Sequence, residues 1–137
     1  MISDAQQQAL IAAARDAQEM AYAPYSGYPV GAALLGGDGR IYTGCNVENA
    51  SFGLSNCAER TAVFKMVSEG QHEILAVAVC TDNAGSPCGA CRQVLVEFAG
   101  DVPVYLVNRG GRGRATSLYA LLPDHFGPEH LPDEAEA

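Results

Sequence analysis

Ile74-Leu75-Ala76-Val77-Ala78-Val79-Cys80 is an uncharged apolar run of strand length, the pattern of a strand buried on both faces. A strand covered twice needs helices on both sides of its sheet, which sets the fold class as α/β. One helix follows directly. Ser86-Pro87 reads as an N-cap with proline at the first helical position, opening a helix through Val94, Leu95 and Phe98 to Gly100. A second precedes the run: Asn56 predicts a start, and Ala62, Val63, Phe64, Met66 and Val67 lead to Gly70 as the stop.

Further upstream, residues 30–35 and 40–47 are β-prone runs joined by Gly36-Gly37-Asp38-Gly39, whose Asp-Gly step signals a hairpin. Between them and the N-terminus, residues 23–29 are broken by proline and glycine and predict a turn. Ser3 followed by Gln6 is a capping-box pattern, and the helix it opens should run to about Tyr22. Leu10, Ala14, Ala17 and Ala21 give that helix a small-residue face suited to lying flat on a sheet. Downstream, residues 102–107 predict a fourth strand, Ala115-Thr116 a short fifth, and residues 117–123 a brief helix. The acidic end, residues 128–137, reads as frayed or pinned only by a neighbouring chain.

Composition bounds the function. At 137 residues and 48% hydrophobic content the chain fits one domain, 1–137, with enough apolar mass for a core. A net charge of −8 works against phosphate backbones and anionic lipid, so neither nucleic acid nor membrane is an expected partner. The N-terminus lacks a basic segment followed by an apolar one, and no apolar run is long enough to span a bilayer, which predicts a cytoplasmic protein. Five cysteines are an odd set, and in a reducing compartment their spacing points to metal or catalysis rather than to disulfides.

Asn56-Cys57-Ala58-Glu59-Arg60 and Ser86-Pro87-Cys88-Gly89-Ala90-Cys91-Arg92 concentrate three thiols, a carboxylate and two guanidiniums. Cys88-x-x-Cys91 has zinc spacing, and Cys57 supplies a third thiolate while leaving a fourth position open, as catalytic zinc requires. Both motifs begin helices, whose positive ends favour thiolates. Arg60 and Arg92 stand where a helix dipole disfavours cations; neighbouring thiolates with an excess negative charge would account for them. Glu59 has a competing explanation, because Asn56 and Glu59 also form a capping box. Loop polarity alone accounts equally well for Asn46, Glu48 and Asn49. Cys45 and Cys80 read as small hydrophobes in strands, and His72, His125 and His130 as solvated loop or helix-end residues. A thiol redox pair or a structural zinc module is the rival reading of Cys88 and Cys91, but redox chemistry does not need Cys57 and Glu59, and structural zinc needs a fourth protein ligand.

With Cys57-Ala58-Glu59-Arg60 and Pro87-Cys88-Gly89-Ala90-Cys91-Arg92-Gln93 in view, the chain resembles the compact homotetrameric cytidine deaminases. The likeness extends from residues 22–26 through residues 46–50 to residues 121–123. Cys57 stands where the wider zinc-deaminase signature has histidine, which matches the all-cysteine branch. The resemblance implies a three-layer α/β/α sandwich around a mixed five-stranded sheet. It implies Zn2+ on Cys57, Cys88 and Cys91, with Glu59 carrying protons during hydrolytic attack at C4 of cytidine or deoxycytidine in pyrimidine salvage. Asn46 and Glu48 would bind the ribose hydroxyls, and Ala58 would offer its backbone to the base. Tyr28 would line the pocket, where the family often has phenylalanine. Phe126 would reach a neighbouring subunit's site in a homotetramer with shared active sites. A deaminase of similar build acting on a nucleoside antibiotic is the alternative within this resemblance.

Overall fold

The computed structural model describes residues 2–132. Helix α1 (Asp4–Gln18) is followed by strands β1 (Gly31–Gly36) and β2 (Ile41–Cys45), helix α2 (Ala58–Ser68), strand β3 (Ile74–Cys80) and helix α3 (Gly89–Phe98). Strands β4 (Pro103–Val107) and β5 (Gly113–Ser117) and the short helix α4 (Leu118–Leu121) complete the order. The sheet runs β2-β1-β3-β4-β5, with the apolar run at its centre. Only the β3–β4 pair, joined through α3, is parallel; β1–β2, β1–β3 and β4–β5 are antiparallel, so the sheet is mixed.

Strand alternation makes the three layers. Val77 and Val79 of β3, with Ala32, Leu34, Val104 and Leu106, pack under Ala58, Ala62 and Met66 of α2 and Leu95 of α3. Ala76, Ala78 and Cys80 of the same strand point the other way with Ala33 and Leu35, against Leu10 and Ala14 of α1. Each fully buried Leu or Val contributes roughly 1.5–3 kcal/mol of hydrophobic stabilisation. The side toward α1 is lined by alanines, so the helix backbone comes close. At Gly31 a side chain would collide with the Ala14 carbonyl and the Gln18 amide.

Several boundaries differ from the sequence expectation, each for a local reason. Helix α1 has its Ser3–Gln6 capping box but stops at Gln18, so Ala21 lies outside it. Tyr22 is instead held extended by its amide donating to Asn46 O at 2.9 Å and its carbonyl accepting from Glu48 N at 2.9 Å. Helix α2 begins at Ala58, because Asn56 is pinned in an antiparallel bridge to Val47. Helix α3 begins at Gly89 with Cys88, not Ser86, as its N-cap. The Ser86 hydroxyl is already engaged, accepting from Arg92 Nη2 at 2.9 Å. Strand β5 is longer than expected, and α4 is capped by Ser117, whose hydroxyl accepts from Ala120 N. His125 is not solvated: its ring packs on Tyr119 at 4.6 Å, and Nε2 lies 3.3 Å from Glu129. The acidic end forms a short 3₁₀ turn over Pro128–His130; residues 133–137 lie outside the described residues. No helix among the described residues is long and apolar enough to cross a membrane.

Candidate active site

Two cysteine-capped helices meet beyond the C-terminal end of β3. Cys57 caps α2 with extended backbone, at φ −73° and ψ 153°. Cys88 caps α3 at φ −67° and ψ 167°, its Sγ accepting from the Cys91 amide at 3.5 Å. Gly44 sets the position of the first of these ends. A Cβ there would lie 2.5 Å from Ala62 N and 2.6 Å from Ala58 O, so only glycine lets β2 press against the first turn of α2.

The three Sγ atoms of Cys57, Cys88 and Cys91 lie within 4.8 Å of one another. Cys57 and Cys88 are 3.8 Å apart, and Cys88 and Cys91 3.3 Å. Zinc–thiolate bonds of about 2.3 Å at tetrahedral angles place sulfurs about 3.8 Å apart, so the donor set fits the metal in size and softness. Among the described residues this is the one group of three or more Cys, His, Asp or Glu side chains close enough to hold an ion. Cys88 is exposed and Cys91 buried, which leaves the cluster open on one side.

Charge around the cluster follows from these neighbours. Hydrogen bonding from the Cys91 thiol and then from Arg60 brings Cys57 down to about 5, against the opposing effect of burial. Cys91 is pushed up, chiefly by the Cys57 thiolate it bonds and then by burial. The Cys57 charge thus opposes ionisation of Cys91, and a cation bound among the sulfurs would offset that opposition. Arg60 Nη2 donates to Cys57 Sγ at 3.2 Å, the contact that its place in the first turn of α2 anticipates. Arg60 Nε is buried and has no hydrogen-bond partner among the described residues. We expect Arg60→Gln to weaken zinc binding about 10–100-fold, the usual cost of losing a partner that orients a metal ligand. Competition with a chelator of known affinity measures it.

Glu59 sits at the second position of α2 and is 4% exposed. It has no capping-box partner, since Asn56 is not the N-cap and its side-chain amide donates to Thr61 Oγ1 instead. Burial first, and then the Cys57 charge, hold the Glu59 carboxyl above the usual carboxylate range, while bonds from its own amide and the Cys91 thiol act the other way. A buried carboxyl group thus stands against the thiol cluster. Ala58, fully buried, is the first helical residue.

The other expected site residues are more dispersed. Arg92 does not face the thiols: its guanidinium donates to Pro87 O at 2.8 Å, Leu121 O at 2.6 Å and Ser86 Oγ, tying the cysteine loop to α4. Asn46 Oδ1 accepts from Val30 N and its Nδ2 donates to Tyr28 O, both at 2.9 Å. Glu48 accepts from the Tyr25 and Ser26 amides and from the Ser26 hydroxyl, and that hydroxyl bond is the main reason its carboxyl is lowered. Tyr28 is 39% exposed, and its hydroxyl donates to Asn83 Oδ1 at 2.7 Å. Phe126 is 58% exposed; its carbonyl accepts from Gln93 Nε2, and its ring stacks on His130 at 5.6 Å. The sequence reading missed Asn83, Thr81 and Gly85, because a short polar loop carries no signal of what it will bond.

The sequence profile of the family described as the cytidine and deoxycytidylate deaminase zinc-binding region matches residues 4–107. The chain belongs to the cytidine and deoxycytidylate deaminase family. Zinc is the cofactor of that region, and Cys57, Cys88 and Cys91 are positioned to bind it. Among cytidine and deoxycytidylate deaminases, the cytidine deaminase of Sporosarcina psychrophila is 54% identical over 130 residues, covering 93% of this chain and 96% of its own. That of Halalkalibacterium halodurans is 50% identical over 129 residues, 92% of this chain and 98% of its own. The crystal structure of the Burkholderia pseudomallei cytidine deaminase superposes with a TM-score of 0.83 at 49% identity, covering 91% of this chain and all of that one.

Proposed function

We propose that the protein, acting as one deaminase domain over residues 1–137, hydrolyses cytidine and deoxycytidine to uridine and deoxyuridine plus ammonia. The observation that carries this reading is a buried carboxyl group, Glu59, beside three converging thiols at two helix N-termini. Zinc, when bound there, supplies Lewis acidity that brings the pKa of water near neutrality. In the reaction a C–O bond forms at C4 and the C–N bond to the amino group breaks. Glu59 takes a proton from the attacking water and delivers it to ring N3, then carries the remaining hydroxyl proton to the amine, which leaves as ammonia. The orphan amides at the start of α2, Ala58 first among them, are donors for the base. Asn46 and Glu48 serve the ribose, and Tyr28 walls the pocket.

The test is loss of cytidine absorbance with stoichiometric ammonia release, on a sample assayed for metal. No absorbance change with a zinc-loaded preparation would refute the assignment. The family name covers nucleoside and nucleotide substrates alike, and the net charge of −8 together with the Glu48 carboxylate favours the uncharged nucleoside. Cytidine should therefore exceed its 5′-monophosphate in kcat/KM by more than about tenfold, the equivalent of one unfavourable charge interaction of about 1.4 kcal/mol. Equal turnover of the two would contradict this.

Assembly is the second part of the proposal: a cytoplasmic homotetramer with shared sites, supplying a pyrimidine salvage step. Phe126 is 58% exposed on the isolated chain, and a neighbouring subunit's site is the surface this reading gives it. If Phe126 enters a neighbour's site, Glu59→Ala and Phe126→Ala chains should each be impaired alone and regain activity when co-refolded. Activity at the mean of the two parents, with mixing verified by mass, would make each site the property of one chain.

A further inference from the structure

Tyr28 is held at three points, and they belong to opposite sides of the site. Its amide donates to Ser26 Oγ at 3.0 Å, and Ser26 is bound in turn by Glu48. Its carbonyl accepts from Asn46 Nδ2. These two bonds anchor it to the residues assigned to the sugar. The third crosses over: the Tyr28 hydroxyl donates to Asn83 Oδ1 at 2.7 Å, in the loop between β3 and α3 that leads to Cys88.

That loop is built to receive it. Asn83 Oδ1 also accepts from Thr81 Oγ1 at 3.2 Å, and Thr81 Oγ1 accepts from the Gly85 amide at 2.6 Å. Thr81 is 3% exposed, so its hydroxyl is a fixed hub. Ala84, between them, has φ +55°, a left-handed conformation that a non-glycine residue keeps only when its surroundings impose it. At Gly85 a Cβ would stand 2.5 Å from the Tyr28 hydroxyl oxygen, so glycine is what lets the phenol reach in. Pro87 and Cys88 follow within three residues.

We propose that the Tyr28 hydroxyl is a latch that positions the Cys88-bearing loop, tying retention of the metal to the nucleoside side of the site. Tyr28 is thus a positioning residue for zinc through Asn83, in addition to the ring it offers the pocket. A phenylalanine keeps that ring and loses the latch. The inference rests on Cys57, Cys88 and Cys91 being the zinc ligands, and its mechanism needs no substrate.

The test follows zinc transfer to a colorimetric chelator from the zinc-loaded full chain, below the melting temperature of every variant. Tyr28→Phe and Asn83→Ala should each release zinc about fivefold faster than the wild type, the kinetic equivalent of one neutral hydrogen bond. The double variant should be no faster than Asn83→Ala alone, since that change already removes the acceptor of the Tyr28 bond. Asn83→Asp keeps an acceptor for both hydroxyls and should release zinc no faster than the wild type. Ile74→Val, at the far end of β3 and buried, lowers stability without touching the loop and should release zinc at the wild-type rate. Wild-type release from Tyr28→Phe, fast release from Asn83→Asp, or rates that follow melting temperature across all variants would overturn the latch. A wild type that binds zinc yet leaves cytidine intact defeats the proposed function while the release rates still decide this inference. A wild type that binds no zinc defeats both.

Discussion

Glu59→Gln is expected to give a folded, zinc-loaded protein whose turnover of cytidine falls by about 10²–10⁴-fold, the range that a positioned acid–base group contributes. The side chain is 4% exposed, so an amide of the same shape keeps the packing of the first turn of α2. It removes no cap, because Cys57 is the N-cap and Asn56 lies outside the helix. Burying a charge costs free energy, so the neutral amide should leave thermal stability equal or higher. What the amide cannot do is accept a proton from water and hand it to a ring nitrogen and an amine. Steady-state rates, metal content and a melt on one preparation separate these effects. Retention of most of the activity, with zinc in place, would reduce Glu59 to a packing residue.

The fold was legible wherever apolar periodicity and turn chemistry agree. The run from Ile74 to Cys80 is the centre of the sheet, and its alternate residues face two different helix layers. The Asp38-Gly39 step joins β1 to β2, with Gly39 at φ +82°. Two of the errors fell at helix starts, where the pattern of residue types was right and the partners were not visible. Ser86 and Asn56 are both good N-caps, yet Ser86 is taken by Arg92 and Asn56 by a bridge to Val47. Cysteines took over both caps, which a scale of capping preference does not favour. Arg60 and Arg92 carried the same sequence anomaly and have different uses: one donates to a thiol, the other to two carbonyls and a hydroxyl. Sequence reports that a cation is out of place; only the fold reports which acceptor it found. The Tyr28–Asn83 bond spans 55 positions and rests on loop residues with no periodicity, so no local pattern could have announced it.

Cys91→Ser should abolish stable zinc binding while the chain still folds, and with the metal should go nearly all activity. Serine matches cysteine in shape, but its hydroxyl does not ionise near neutral pH and is a poor donor for a metal that prefers thiolate or imidazole. The loss should exceed the 10–100-fold expected for Arg60→Gln, because a ligand is removed rather than its orienting partner. Cys91 is the buried member of the set and stands in the first turn of α3, so water cannot readily take its place. Its thiol is also the first cause of the low pKa of Cys57. A serine hydroxyl at the same position is a donor to that thiolate as well, so the Cys57 charge should persist and the apoprotein should not collapse. The measurement is zinc per chain after dialysis against a defined free-zinc concentration, with circular dichroism as the check on folding. Zinc at the wild-type ratio in the Cys91→Ser protein would remove Cys91 from the ligand set and leave Cys57 and Cys88 in need of another donor.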